Sequence, residues 1–413
     1  MNKKLLARRY RHERFFMRCG LAGIALAFFF LALLLVLVIG QGWRTFLTAS
    51  IQLEVQLDSS IIGAAGEESP LRYQKLLKDA LRQHFPQVKK RQEKKQLYQL
   101  LSFSGAVELR QLVQEQPDLL DTRATVWLPA ASAAERYLKG GIDPNLAEEQ
   151  RGISDRQLLW LDTLAAQEAV ELSFNSGFFT NADSRDAELA GIGGALLGSF
   201  YSLLLAFLFS FPVGVLAAVY LELFAPRNRW FDFIEINVNN LAAVPSVIFG
   251  LLGLSIFINF FGLPRSSSLV GGLVLSLMTL PTIVIAARAA LAAVPPSLLA
   301  AALSLGATKM QGVFHHVLPN AIPGILTGAI IGMARALGET APLLMIGMVA
   351  FIVELPEGVA DSTTALPVQI FLWADSPERG FVERTSAAII VLLFFLLLMN
   401  AVAIYIRNKM EDK

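Results

Sequence analysis

Residues Ala300–Leu344, AAALSLGATKMQGVFHHVLPNAIPGILTGAIIGMARALGETAPLL, decide how this chain is read. They open as a helix of small residues around Gly306 and reach a stop at Leu318-Pro319. An apolar segment spaced by glycine and proline follows. That segment carries Arg335 and Glu339. A charge at bilayer depth costs about 3 kcal/mol on insertion scales, so each needs a partner or a wet cavity. A short docking helix joined to a span with internal charges is a layout expected of a membrane transporter.

Working outward, the chain is 413 residues long, 54% hydrophobic and only 17% charged, too apolar for an ordinary soluble protein. Gly20–Gly42, GLAGIALAFFFLALLLVLVIGQG, is uncharged over about the 20 residues a helix needs to cross a bilayer. Further candidate spans are Ile192–Leu221, Leu241–Phe261, Leu269–Leu291, Asn320–Ile352 and Ser386–Ile406. The first follows a basic stretch, Met1–Arg18, and so invites a secretory-leader reading. Its run exceeds the roughly 7–15 apolar residues of a leader and lacks a clean cleavage site, so it is read as a retained anchor. The single cysteine, Cys19, allows no intrachain disulfide, and a net charge of +1 argues against a nucleic-acid partner.

Charge is distributed unevenly. Lys3, Lys4, Arg8, Arg9, Arg11, Arg14 and Arg18 crowd the N-terminus. Arg227 and Arg229 follow the second span, and Arg407, Lys409 and Lys413 lie at the C-terminus. The loop Val353–Glu383 is acidic, with Glu354, Glu357, Asp361, Asp375, Glu378 and Glu383 against Arg379. Basic short loops stay in the cytoplasm, so six spans with both termini inside satisfy the pattern. Residues 1–42 are then a basic tail and first span, 43–188 an exterior insertion, and 189–413 five further spans.

The insertion is too long for a connector. Ile51–Leu57 alternates as a half-buried strand should, and Thr122–Leu128 does so more weakly. Amphipathic patterns over Leu71–Phe85, Gln92–Leu101, Val107–Val113 and Gln157–Val170, punctuated by Gly63, Gly66, Pro70, Pro117, Gly140, Gly141 and Pro144, complete a small α+β domain. The fold class expected is therefore mainly α, polytopic, with this domain outside. Gly194 and Gly198 open the second span as a small-residue packing face, since no strand precedes them to make a dinucleotide loop.

Pro295-Pro296 ends the fourth span, and Ser297 is placed to cap a short helix Leu298–Thr308 within a cytoplasmic segment 297–311. Such a helix suits a groove in a cytoplasmic partner or lies on lipid; composition does not separate the two. Arg335 sits about 24 Å along the helix from Pro319, and Glu339 four residues on should share its face. One reading is a structural ion pair. The other is an anion pathway, in which the guanidinium fork matches oxyanion geometry and Glu339 keeps binding weak enough for release. Arg288, near the inner end of the fourth span, reads as a snorkelling boundary residue. Gly338 and Pro342 offer hinge positions, and Pro245 should kink the third span.

The spacing Ala300-Ala301-Ala302, Gly306, Leu318-Pro319 resembles the cytoplasmic "EAA" loop of ATP-binding-cassette importer permeases. Gly332–Leu344, GMARALGETAPLL, is similar to the A-type permease subunit of phosphate-specific importers. Ala225–Arg229, Asn240–Gly250 (NLAAVPSVIFG) and Leu303–Lys309 agree in order, over about Ile192 to Ile406. The resemblance implies a bacterial inner-membrane subunit that catalyses no bond change. It implies docking to an ATPase through Ala300, Ala301, Ala302, Gly306 and Lys309, and a substrate role for Arg288 beside Arg335 and Glu339. The implied partners are a C-type sister permease, an ATPase dimer that uses ATP and Mg, and a periplasmic phosphate-binding protein, with inorganic phosphate and membrane lipid.

Two positions depart from that pattern: Ala300 stands where the loop has a glutamate, and His315-His316 where it has a basic pair. Adjacent histidines point about 100° apart on a helix with no carboxylate or cysteine nearby, so no metal is expected. No G-x-x-x-x-G-K-[ST], H-E-x-x-H or G-x-S-x-G occurs, so no cofactor is expected on this chain. Molybdate or sulfate as cargo, and a membrane-anchored sensor or scaffold working through 43–188, are the alternatives.

Overall fold

The computed structural model describes residues 3–62, 69–349 and 351–411. Gly63, Gly66 and Lys413 lie outside the described residues, as do the side chains of Lys3, Lys4, Arg8, Arg9 and Arg11. Among the described residues five helices are long and apolar enough to cross a bilayer: His12–Phe46, Gly193–Phe224, Ser268–Ala292, Lys309–Gly338 and Gly380–Lys409. A broken pair, Arg229–Ala242 and Ser246–Phe260, bent by 105°, is a sixth candidate span if its two halves cross together, where the sequence predicts one span over Leu241–Phe261. Pro245 stands as the N-cap of the second half, so the expected kink is a full break. The span expected over Asn320–Ile352 stops at Gly338, and a separate short helix, Ala341–Met345, follows.

Small residues let these helices approach closely. A Cβ on Gly328 would lie 2.1 Å from Ala286 Cβ, and one on Gly324 2.7 Å from Ala290 Cβ, which packs the fifth span antiparallel on the fourth. Gly198 meets the Thr364 carbonyl in the same way. Gly194 has nothing within 4 Å, so the expected two-glycine face reduces to one.

The α+β domain is built on an antiparallel sheet in the order β2-β1-β3, with β1 Leu47–Gln56, β2 Arg123–Pro129 and β3 Val170–Phe174. Ile51 pairs with Leu128 and Ala49 with Leu172. Alternation sends Ala49, Ile51, Leu53 and Val55 inward against the helices Pro70–His84 and Ser104–Glu115. The helix expected over Gln157–Val170 ends at Ala166, and Val170 begins β3. Its start is a capping box between Ser154 and Gln157.

This domain is fastened to the membrane-spanning part at one corner. Gly42, at the end of the first helix, lies against the backbone of Ser386 and Ala387, and Ser386 Oγ donates to Gln41 Oε1. Arg136 of the domain pairs with Glu383 of the last span at 2.9 Å, and Lys139 with Glu135 at 2.7 Å. Buried Arg384 donates to the Ala190 carbonyl. Burial in this corner pushes the Glu188 carboxyl up from its ordinary range, with a Ser102 hydrogen bond acting the other way. Burial likewise pulls the Lys139 ammonium down, and Glu135 opposes the shift.

Candidate functional site: a half-exposed arginine and an exposed helical tip

The helix Leu318–Gly338 presents three faces. Gly328 and Gly332 turn to the fourth span. Leu326, Ile330 and Met333 line an apolar groove of about 430 Å³ shared with the second and last spans. The third face carries Ile331, 61% exposed, and half-exposed Arg335. Arg335 is 51% exposed and its Nε lies 3.5 Å from Glu339 Oε1. Glu339 does not reach it by sharing a helical face. The helix ends at Gly338, and Glu339 is extended (φ −81°, ψ 115°), folding its carboxylate back onto the last turn. An exposed pair of this kind contributes about 0–1 kcal/mol, so Glu339 tethers the guanidinium without sequestering it.

Arg288 has a different setting. Its Nε lies 3.2 Å from Glu222 and its Nη2 2.9 Å from Glu235, and Phe231 stacks beneath at 5.6 Å. Arg227 joins from the other side, 3.7 Å from Glu222. The contacts of Gly324 with Ala290 and Gly328 with Ala286 set the register of the two helices. They put Arg335 level with Thr279 and Arg288 level with Leu326, about 14 Å apart along the axis. The two arginines are thus at different depths, and Arg288 is occupied by two carboxylates.

Gly338 is exposed with nothing within 4 Å of an added Cβ, whereas Pro342 is buried with its Cα 2.8 Å from the Cβ position of Gly250. Only Gly338 has room to move.

The segment 297–311 forms a short first helix, Pro296–Ser304, and the start of a second, Lys309–Gly312, which is the first turn of the fifth span and runs on through Leu318-Pro319 without the expected stop. Ser297 makes no cap; Pro295 occupies that position, and Thr308 caps the second helix in a box with Gln311. Gly306 lies beyond the first helix at φ +88°, where the Gly306 and Ala307 amides bond the Leu303 and Ala302 carbonyls. That is a Schellman turn, which favours glycine. Ala300 and Ala301 are exposed; Ala302 is buried, near Gly312. Lys309 Nζ sits 5.0 Å over the Phe224 ring. The most exposed large apolar side chains on this tip are Leu305, 90% exposed, and Met310, 58% exposed. Sequence reasoning passed over both, although a leucine beside the terminating glycine was a visible signal.

Comparison with known proteins came to the same region. Residues 210–412 match the family "Binding-protein-dependent transport system inner membrane component", and residues 3–148 match a "Domain of unknown function (DUF3333)". The chain is 37% identical over 175 residues to the "Probable ABC transporter permease protein YqgI" of Bacillus subtilis (strain 168), covering 42% of this chain and 58% of that one. It thus spans little more than half the length of that relative. It is 32% identical over 221 residues to the "Phosphate transport system permease protein PstA" of Haemophilus influenzae, covering 53% of this chain and 76% of that one. A solved structure of the MetNI methionine ABC transporter in inward-facing conformations overlays with a TM-score of 0.42 at 21% identity, over 53% of this chain and 94% of that one.

Proposed function

This chain belongs to the binding-protein-dependent transport system inner membrane components, the permeases of ABC transporters, and we propose that it is the permease subunit of an ATP-driven phosphate importer. As a permease component it is a multi-pass inner-membrane protein and catalyses no reaction of its own. The proposed partners are a C-type sister permease, an ATPase pair docked on the tip around Ala300, Ala301, Gly306 and Leu305, and a phosphate-binding protein on the side of the α+β domain. Both termini then lie in the cytoplasm.

The observation that carries the substrate assignment is Arg335, half-exposed among the described residues although a guanidinium facing lipid at that depth costs about 3 kcal/mol. A passage shared with the sister subunit removes that cost, and the planar fork suits a tetrahedral oxyanion. The printed names of relatives from Haemophilus influenzae and Mycobacterium tuberculosis, 32% and 31% identical, favour phosphate over sulfate or molybdate. Glu339 moderates the affinity so that phosphate leaves again. ATP binding closes the ATPase pair and pulls the cytoplasmic tip. Gly338 is the proposed joint through which this reaches Arg335. Arg288 is assigned to bracing the cytoplasmic ends of the spans.

Radiolabelled phosphate uptake in a strain lacking other phosphate importers tests this. Arg335→Lys keeps the charge and loses the fork, so uptake falls severalfold, and Arg335→Ala abolishes it. Full uptake by Arg335→Ala, with loss on deletion of 43–188, favours the sensor reading and overturns this one. Normal uptake by Gly338→Ala removes the joint.

A further inference from the structure

A second cluster of arginines lies where the first and last spans leave the bilayer on the side of the α+β domain. A cavity of about 320 Å³ is lined there by Gly40, Gln41, Arg44, Arg136, Arg379 and Glu383, with Gly141 and Val382 completing the wall. Three guanidiniums face one carboxylate, and that carboxylate is already paired with Arg136 at 2.9 Å. Among the described residues Arg44 and Arg379 have no carboxylate within ion-pairing distance. Arg44 lies beside the Trp43 ring, 5.8 Å from its centroid, and its Nε is buried without any acceptor. A buried donor left unmatched is costly, and the half-buried Arg44 lines the cavity, which points to an acceptor that enters from outside the chain.

Depth identifies the acceptor's chemistry. Gly40 and Gln41 follow directly on the apolar run that ends at Ile39, and Arg379 precedes the first turn of the last span. The cavity therefore opens at the level of lipid headgroups, with Trp43 at the same boundary as interfacial tryptophans are. We propose that this cavity is a phosphate-group site, in which Arg44 and Arg379 grip phosphate oxygens of an anionic phospholipid headgroup or of free phosphate. Gly141 shapes it: a Cβ there would sit 3.0 Å from Glu383 Oε1 and 3.5 Å from Arg44 Nη1, inside the narrow part of the cleft. Because the walls come from the first span, the α+β domain and the last span, an anion seated here ties all three together. The site is separate from Arg335 and does not depend on which cargo the permease carries.

The full-length chain in nanodiscs, examined by native mass spectrometry and thermal denaturation, tests the proposal. Wild type and Arg265→Gln, an exposed arginine elsewhere, retain phosphatidylglycerol over phosphatidylcholine by about thirtyfold, the scale two arginines give at a charged surface. Arg44→Gln/Arg379→Gln brings the ratio to about one. Alternatively, lipid preference is absent but inorganic phosphate raises the melting temperature of wild type saturably and leaves the double variant unmoved; the site then takes free phosphate. No preference and no phosphate effect, or the same behaviour in the double variant, overturns the proposal. Should the double variant melt early in phosphatidylcholine alone, Arg44→Lys decides, since it keeps the charge and loses the fork: retention falls if the proposal holds and is unchanged if it fails.

Discussion

Leu305→Ala separates the proposed docking of the tip around Gly306 from the stability of the fold. Leu305 is 90% exposed, so within the chain its side chain stabilises nothing, and truncation leaves the melting temperature of the free permease unchanged. If the leucine is buried when an ATPase subunit covers the tip, the variant loses three carbons of apolar contact. At about 0.8 kcal/mol per carbon the loss is about 2.4 kcal/mol. With tenfold per 1.4 kcal/mol, that weakens docking by about fiftyfold. The assay is ATPase binding to permease nanodiscs on a biosensor, with uptake alongside. The neighbouring Gly306→Ala meets no atoms within 4 Å but must hold φ +88°, at a cost of about 1–2 kcal/mol. It should therefore weaken docking through shape and not through contact area. Binding by Leu305→Ala within twofold of wild type, at an unchanged melting temperature, refutes the assignment of this tip to docking.

Other expectations follow from packing and charge. Gly328→Ala drives a methyl to 2.1 Å from Ala286 Cβ, so it destabilises by about 1–3 kcal/mol in detergent denaturation, and Ala286→Gly on top of it restores the contact. Arg288→Met leaves Glu222 and Glu235 without the cation between them and costs about 1–3 kcal/mol; adding Glu235→Gln recovers part of it. Glu188 has its carboxyl pushed up by burial. Its stability contribution is complete below the ordinary carboxylate range and is lost as pH rises through the raised value. Glu188→Gln should therefore melt above wild type at neutral pH, with the difference closing toward acid; a constant difference across pH sinks that expectation.

Much of this protein follows from one-dimensional pattern. Long apolar runs located the five single-helix candidate spans, because exposed backbone and charge are so costly in hydrocarbon that composition alone betrays a crossing. Strict alternation at Ile51–Leu57 marked β1, since a strand buried on one face must repeat every second residue. Gly306 was expected within the helix Leu298–Thr308, but the helix stops at Ser304 and Gly306 turns left-handed at φ +88°, because a glycine adopts that turn without the clash a Cβ would bring. Local signals did not reach β3, whose Leu172 and Phe174 are exposed and which is a strand only through its pairing with β1. They also left open which arginine was free. Arg288 and Arg335 look alike in sequence, each a cation in an apolar helix. Only the folded chain brings Glu222 and Glu235, 66 and 53 residues away, onto the first, and leaves the second facing outward with Glu339. The same holds for Arg44 and Arg379, 335 positions apart and met across one cavity. Hydrophobic periodicity is a property of neighbours along the chain, whereas compensation of charge depends on what distant segments bring within about 4 Å, and only tertiary structure decides that.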